Sequence, residues 1–371
     1  MAIVGNIDTK DISIIVKGKA GKNDDYSKKC FDSIRKCFPD SEVIFSTETS
    51  DEDLVGLSFD KLVRIKDVGN DILPKSTFRL NVKRQIYSTQ EGLKAATKKY
   101  TLVVRNDIEF IDINFLKYFD IFTKFDENYR IFSHRIIVPM IQHSYKSDFL
   151  FFPSDWLYFG FTDDIKKLFD IPYNTDENNR YLLDHSPANP TRYNYLPEDK
   201  RNLHTTQYWS EQYVFVKCLL KNYKGTIDFK DWTDTTDKNR LESEKFLINN
   251  FIVCDDGEYL NIKHNKKINY SKENLKLVMS TSYSLKEFYL LYKKYCDKNC
   301  RIPLEFLNLK EIFDISNQLK RLKKHYTFFF KPFELLIRWI FSPLKIIIDL
   351  ISILFQTIKG IIKTIRLIKN K

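Results

Sequence analysis

The chain has 371 residues, 15% of them aromatic, and 60 Lys and Arg against 49 Asp and Glu give a formal net charge of +11. That length and apolar content can furnish more than one core and exclude global disorder. The basic residues are spread through a Lys- and Asn-rich background with no zinc-finger spacing and no recognition-module motif, so nucleic acid is not an expected partner.

The N-terminus, MAIVGNIDTKD, lacks a basic segment followed by an apolar run, and no secretion signal is expected. Residues 12–16 (ISIIV) are a continuous apolar run, the pattern of a buried parallel strand, and end at Lys17-Gly18. Tyr26, Cys30, Ile34 and Cys37 then mark a helix that stops at Phe38-Pro39. A second strand is expected over 42–46, ending in Thr47, and a third over 62–65, ending near Asp67 and Gly69. Val82, Ile86, Thr89, Leu93 and Ala96 fall on one stripe of a long helix. That helix leads into a strand over 100–104, which closes abruptly on Arg105-Asn106-Asp107, with Glu109 just beyond. Strand–helix alternation predicts an α/β fold with right-handed crossovers. Neither GxGxxG nor GxxxxGK[ST] is present, so any nucleotide is held some other way.

Past Asp107 the pattern changes. Residues 131–140 contain a strand-like run (RIIVPM), and 149–161 (FLFFPSDWLYFGF) are dense in aromatics. Residues 163–169 read as a short helix with acids first and lysines later, in keeping with the helix dipole. Residues 171–209 read as a long polar loop, functional or mobile, ending where Ser210 can cap a helix beginning Ser210-Glu211-Gln212. Short strands and one helix are expected over 225–263, a helix over 284–296, and a charged helical segment over 310–324. The six cysteines have no CxxC pairing, which argues for reduced thiols over a zinc site.

From 328 to 368 the composition shifts to Ile, Leu and Phe. Lys345, Asp349, Ser352, Gln356, Lys359, Lys363 and Arg366 recur at steps of four and three. The longest uncharged run, 350–358, falls short of the roughly 20 residues of a spanning helix. A broad apolar face with a basic edge fits a helix lying in a membrane interface, with Trp339 as an anchor. A helical hairpin packed on a partner subunit is the alternative.

Open α/β sheets bind ligands at the carboxyl ends of their strands, so the polar residues there are the site candidates. Asp107 suits a divalent cation (Mg²⁺ or Mn²⁺) held against a diphosphate. Gly18 allows close backbone approach to a ligand or simply serves a turn. Thr47 and Asp67 are placed to contact a base or ribose, the alternative being ordinary polar strand ends. Asn81, Arg84 and Gln85, at the start of the long helix, suit a diphosphate or form a solvated face. Glu211, at a helix start below the loop, is a candidate general base or a carboxylate that satisfies the dipole.

The blocks ISIIVKG, SIRKCFPDSEVIFST, NVKRQIYSTQEGLKAATKKYTLVVRND, SDWLYFGFTDDIKKLFDIP and SEQYVFVKCL, taken in order, resemble the WavE lipopolysaccharide-synthesis family. The resemblance spans roughly residues 12–220. It implies a GT-A-like nucleotide-sugar-binding mixed sheet flanked by helices and a role in building a surface polysaccharide. By position, Arg105-Asn106-Asp107 lies where such enzymes carry DxD, with Arg in place of the first acid, so metal dependence is open. Arg84 lies where a related enzyme presents an Arg to the donor, and Glu211 where an inverting enzyme places its base. On this reading Asp155 joins Glu211 in catalysis, Arg105, Asn106 and Asp107 contact the donor, and Trp156 and Gln212 face the acceptor.

The expected organisation is a donor half (1–125), an acceptor half (126–270), a helical extension (271–326) and a membrane-associating tail (327–371). The expected function is transfer of a sugar from a nucleotide sugar to a lipopolysaccharide, capsule or other glycan acceptor, at the cytoplasmic face of a bacterial membrane. A nucleotidyl- or phospho-sugar transferase and a non-catalytic scaffold of polysaccharide assembly are the alternatives.

Overall fold

In the computed structural model, the apolar runs become seven strands of one sheet. They are β1 (Ile12–Lys17), β2 (Glu42–Glu48), β3 (Lys61–Ile65), β4 (Tyr100–Arg105), β5 (Ile136–Val138), β6 (Leu157–Phe161) and β7 (Phe251–Val253). The structure describes residues 3–4, 6–20, 25–50, 54–73, 79–147, 149–195, 205–255, 260–264, 281–303 and 306. The chain divides into two compact units, Met1–Cys300 and Arg301–Lys371, and every element below belongs to the first. The expected helical segment at 310–324 and the amphipathic tail at 328–368 lie outside the described residues.

Across the sheet the order is β7–β5–β6–β4–β1–β2–β3. β1, β2, β3 and β4 run parallel, β6 is antiparallel to both β4 and β5, and β7 pairs parallel with β5. The carboxyl ends of six strands and the amino end of β6 therefore share one edge. Every residue of β1 and residues 100–104 of β4 are buried, which is why these strands read as unbroken apolar runs. β3, at the sheet's edge, instead exposes Leu62 and Arg64.

Helices cover both faces. Phe31 of α1 (Tyr26–Cys37) packs edge-on against Phe45, ring centroids 5.1 Å apart. On the opposite face of the pleat, α2 (Val82–Ala95) lies so close to β1 that a Cβ on Gly92 would meet Ile15 Cγ2 at 2.5 Å. Val82, Ile86, Thr89 and Leu93 form its buried stripe, as the sequence periodicity predicts. The remaining helices are α3 (Thr162–Phe169), α4 (Asp176–Asp184), α5 (Ser210–Asn222), α6 (Asp237–Asn250) and α7 (Leu285–Tyr295), with a further short helix at Pro190–Tyr195.

Two expectations change here. The segment 171–209 is not simply a loop, because it carries α4 and Pro190–Tyr195. α4 is fastened by the fully buried Asp71, which accepts from Lys83 N (3.0 Å), Asn179 Nδ2 (3.1 Å) and the Thr175 hydroxyl. Ser210 is also not the cap of α5. Trp209 holds the N-cap position, and its backbone N–H donates to Gln212 Oε1 (3.0 Å), satisfying a donor that the helix leaves open.

Replacing Gly92 tests the close approach of α2 to the sheet. Gly92→Ala gains about 1 kcal/mol of helix propensity but forces a methyl into Ile15, and overpacking of this kind typically costs about 1–3 kcal/mol. The expected result in a urea titration is a lower unfolding midpoint with unchanged slope.

Candidate functional site

The sheet order reverses direction between β1 and β4, and open α/β sheets bind ligands outside the strand ends at such a point. Both strands end there in a cation. Lys17 and Arg105 are register partners, so their side chains leave the sheet on the same face, the one covered by α2. Lys17 is 4% exposed. Arg105 is half-buried and grips Asp107 with two parallel bonds, Nε to Oδ1 at 3.0 Å and Nη2 to Oδ2 at 2.7 Å. Asp107 itself is 2% exposed.

Two further carboxylates face these cations. Asp155 lies just before β6, and its neighbour Trp156 accepts a hydrogen bond from Arg105 N through its carbonyl (3.4 Å). Asp155 is 7% exposed, and among the described residues its carboxylate accepts no hydrogen bond. Glu211 stands in the first turn of α5. Tyr158, on the same face of β6, buries its hydroxyl without a hydrogen-bond partner among the described residues.

The electrostatics tie these groups together. Burial lowers the Lys17 ammonium to about 8, with Arg105 adding to the shift while Asp155, Glu211 and Asp107 oppose it. Burial also works against Arg105, yet Asp155, Asp107 and Glu211 hold its pKa above the ordinary value. Glu211 is pushed up to about 8, first by burial and then by the Asp155 charge, with Arg105 and Lys17 pulling it back. The Tyr158 phenol is raised well above its usual range by burial and by the same two acids. A buried acid whose pKa is raised by burial and by a neighbouring carboxylate is an arrangement found in acid–base catalysis.

The sequence candidates fall into two groups. Arg105, Asp107, Asp155 and Glu211 come together at the switch point, with Trp156 beside them; its ring meets His264 with centroids 4.4 Å apart. Gly18 and Asn106 frame this group. Asn106 receives the turn after β1, donating through Nδ2 to Lys19 O (2.8 Å) and Ser27 Oγ (2.9 Å) and through its backbone N to Lys17 O (3.0 Å). Gly18 has φ +129°, and a Cβ there would lie 2.4 Å from Asn106 Oδ1, so both backbone and space demand glycine.

The second group sits at the ends of β2 and β3. Arg84 donates to both Asp67 oxygens (Nε 2.8 Å, Nη2 2.7 Å) and to Asn70, and pairs in charge with Glu48 at 3.1 Å. Its guanidinium is thus already engaged by the protein. Asn81 is exposed at the N-cap of α2, Gln85 is half-buried one turn on, and Thr47 is buried within β2. Gln212, expected at the acceptor, is turned into the protein. It is fully buried, and Nε2 donates to Leu150 O (2.7 Å) while Oε1 takes the Trp209 N–H.

The residues present do not fit the divalent metal expected at Asp107. A hard cation takes several oxygen ligands, yet both Asp107 oxygens accept from Arg105. Among the described residues no group of three His, Cys, Asp or Glu is arranged to hold a metal ion. Sequence reasoning also missed Lys17 and Tyr158. The available signal for Lys17 was that two neighbouring apolar strands each end in a cation.

A mixed seven-stranded sheet flanked by helices, with a charged cluster at its switch point, defines an α/β protein of Rossmann-like or GT-A-like arrangement. The family model for WavE lipopolysaccharide synthesis matches residues 12–327, and the chain belongs to that family. Among solved structures it is similar to the mannosyltransferase PcManGT from Pyrobaculum calidifontis in complex with GDP-Man and Mn2+, at 9% identity and a TM-score of 0.30. That match takes in 47% of this chain and 51% of the other, so the likeness spans about half of the solved protein. No curated protein sequence matches the chain. No helix among the described residues is long and apolar enough to cross a membrane.

The raised Glu211 pKa has a consequence for stability. Folded, Glu211 keeps its proton up to about pH 8, whereas in the unfolded chain it ionises near the ordinary carboxylate value of 4.5. Unfolding therefore releases a proton in that window, and stability falls as pH rises through it. Glu211→Gln removes this term, so its melting temperature should rise relative to the parent between pH 5 and 8 and match it at pH 4. A difference independent of pH would contradict the assignment.

Proposed function

We propose that this protein is a glycosyltransferase that moves a sugar from a nucleotide-sugar donor to a lipopolysaccharide, capsule or other surface-glycan acceptor. Membership of the WavE lipopolysaccharide synthesis family supports the surface-glycan role. The observation that carries the chemistry is the Asp155–Glu211 pair facing two cations at the switch point, because glycosyl transfer needs both a base for the incoming hydroxyl and a counter-charge for the departing phosphate.

Glu211 takes the proton of the acceptor hydroxyl as its oxygen attacks the donor's anomeric carbon. A carboxylate whose pKa stands near 8 is a stronger base than an ordinary one and lies close to working pH. Asp155 acts on it through charge, holding the affinity of Glu211 for a proton high. Trp156, half-buried at the start of β6, offers a ring for the acceptor sugar to stack on. Thr47, Asp67, Asn81 and Gln85 line the donor's base and ribose side. In this reading residues 1–125 form the donor half, 126–270 the acceptor half and 271–326 a helical extension. Residues 327–371 bring the enzyme to the cytoplasmic face of the membrane that carries its acceptor.

The test is transfer from a panel of UDP-, GDP-, CMP- and dTDP-sugars to a glycolipid extract, with product and released nucleotide both followed. Glu211→Gln should lower the rate by about 10²–10⁴-fold, the usual size of a general-base contribution. The parent's kcat/KM should climb roughly tenfold per pH unit below about 8, as expected of an essential base in its protonated form. Full activity in both Glu211→Gln and Asp155→Asn would overturn the assignment. Release of pyrophosphate in place of a nucleoside phosphate would mark a nucleotidyl transferase.

A further inference from the structure

Lys17 is a buried ammonium without an ion pair. Its residue is 4% exposed, yet among the described residues no carboxylate comes within 4.0 Å of it and its amine makes no hydrogen bond. A charge on so buried a residue is costly unless an opposite charge joins it. Asp155, Glu211 and Asp107 offset its charge from a distance, but Asp107 is gripped on both oxygens by Arg105 and, among the described residues, none of the three pairs with the ammonium directly. Arg105, in turn, uses Nε and Nη2 on Asp107, which leaves Nη1 without a partner among the described residues. Two cations in register on neighbouring strands thus carry unused donors on one face of the sheet, at the edge where α/β proteins bind ligands.

We propose that Lys17 and Arg105 together bind the diphosphate of the nucleotide-sugar donor in place of a divalent cation, so that the donor binds without metal. This rests on the nucleotide-sugar reading above and adds to it the residues that neutralise the leaving group. Lys17 contributes a point charge and Arg105 one edge of a planar fork. Asp107 is then a positioning residue that fixes the guanidinium through its paired bonds. Asn106 and Gly18 fix the spacing, because Asn106 ties the end of β4 to the turn after β1 through Lys17 O and Lys19 O. Arg84 is not an equivalent candidate, since Asp67, Glu48 and Asn70 already occupy it. When the glycosidic bond to the phosphate breaks, the electron pair leaves with the phosphate oxygen, and the added negative charge falls between these two cations.

The experiment is calorimetric titration of the full chain with UDP, GDP, CMP and dTDP, each in EDTA and each in Mn²⁺. The expected result is that one nucleotide binds in EDTA with a dissociation constant within about threefold of its Mn²⁺ value. Lys17→Met should weaken that binding about tenfold or more, the usual loss for a charge-assisted hydrogen bond, and Lys17→Arg should restore part of it. Lys17→Met puts a flexible apolar chain in a buried position, and its melting curve shows whether it folds. If it does not, the EDTA comparison on the parent still decides. Binding that needs Mn²⁺, or that Lys17→Met leaves unchanged, overturns the metal-free site while keeping the nucleotide-sugar reading. No binding of any nucleotide under either condition overturns both.

Discussion

The site depends on two cations placed side by side at the ends of two buried strands. Lys17 and Arg105 close β1 and β4, each strand buried up to its final cation, and they are register partners. Like charges on neighbouring strand ends, one of them buried and the other half-buried, are tolerable only if acids face them. Asp107, Asp155 and Glu211 supply these, and each comes from a different part of the fold: the turn after β4, the lead into β6 and the first turn of α5. The sheet order is what brings them together, because β6 inserts antiparallel beside β4 and delivers its amino end to the edge where β1 and β4 finish.

Two of the three acids, Asp155 and Glu211, are not gripped by Arg105. Glu211 is raised by burial and by Asp155. Gln212 lies between the segments that carry them, its amide joining Trp209 N at the start of α5 to Leu150 O, in the segment that leads to Asp155. The buried glutamine therefore connects the helix that carries one carboxylate to the chain that carries the other. A shift of the helix start would move Glu211 relative to Asp155 and alter how strongly each acts on the other. A residue expected at the acceptor is better understood as part of the frame that holds the acid pair.

The sheet was legible because buried parallel strands write themselves as apolar runs, and α2 because its stripe recurs at helical spacing. The helices within 171–209 were not, for a physical reason. α4 turns Asn178 and Asn179 inward, and both are satisfied by hydrogen bonds to Tyr208 and Asp71 rather than by apolar packing. A helix with a polar buried face has no hydrophobic period to read. Lys17 was hidden for a related reason. A polar residue after an apolar run looks like the strand's exit to solvent, and only the neighbouring strand shows that this lysine stays buried. The Arg105–Asp107 pairing was equally invisible, since an Arg two residues before an Asp does not reveal whether the two point at each other.

The same bonding pattern explains why the two groups of strand-end residues are suited to different parts of one ligand. At the ends of β2 and β3, Arg84 is surrounded by Asp67, Glu48 and Asn70, so its charge is balanced locally. An anionic group arriving there would meet two carboxylates before it met a free donor. At the ends of β1 and β4 the balance is reversed, because Arg105 keeps one edge open and Lys17 has no partner within ion-pair distance among the described residues. The groups are joined through one residue, Lys19, whose carbonyl accepts from Asn106 and whose ammonium lies 3.7 Å from Glu48. In the proposed reading, a nucleotide sugar lies across this line with its uncharged ribose and base towards Arg84 and its diphosphate towards Lys17. Unused donors favour that orientation, because the reverse would set the diphosphate against Asp67 and Glu48, whose cation Arg84 is already engaged.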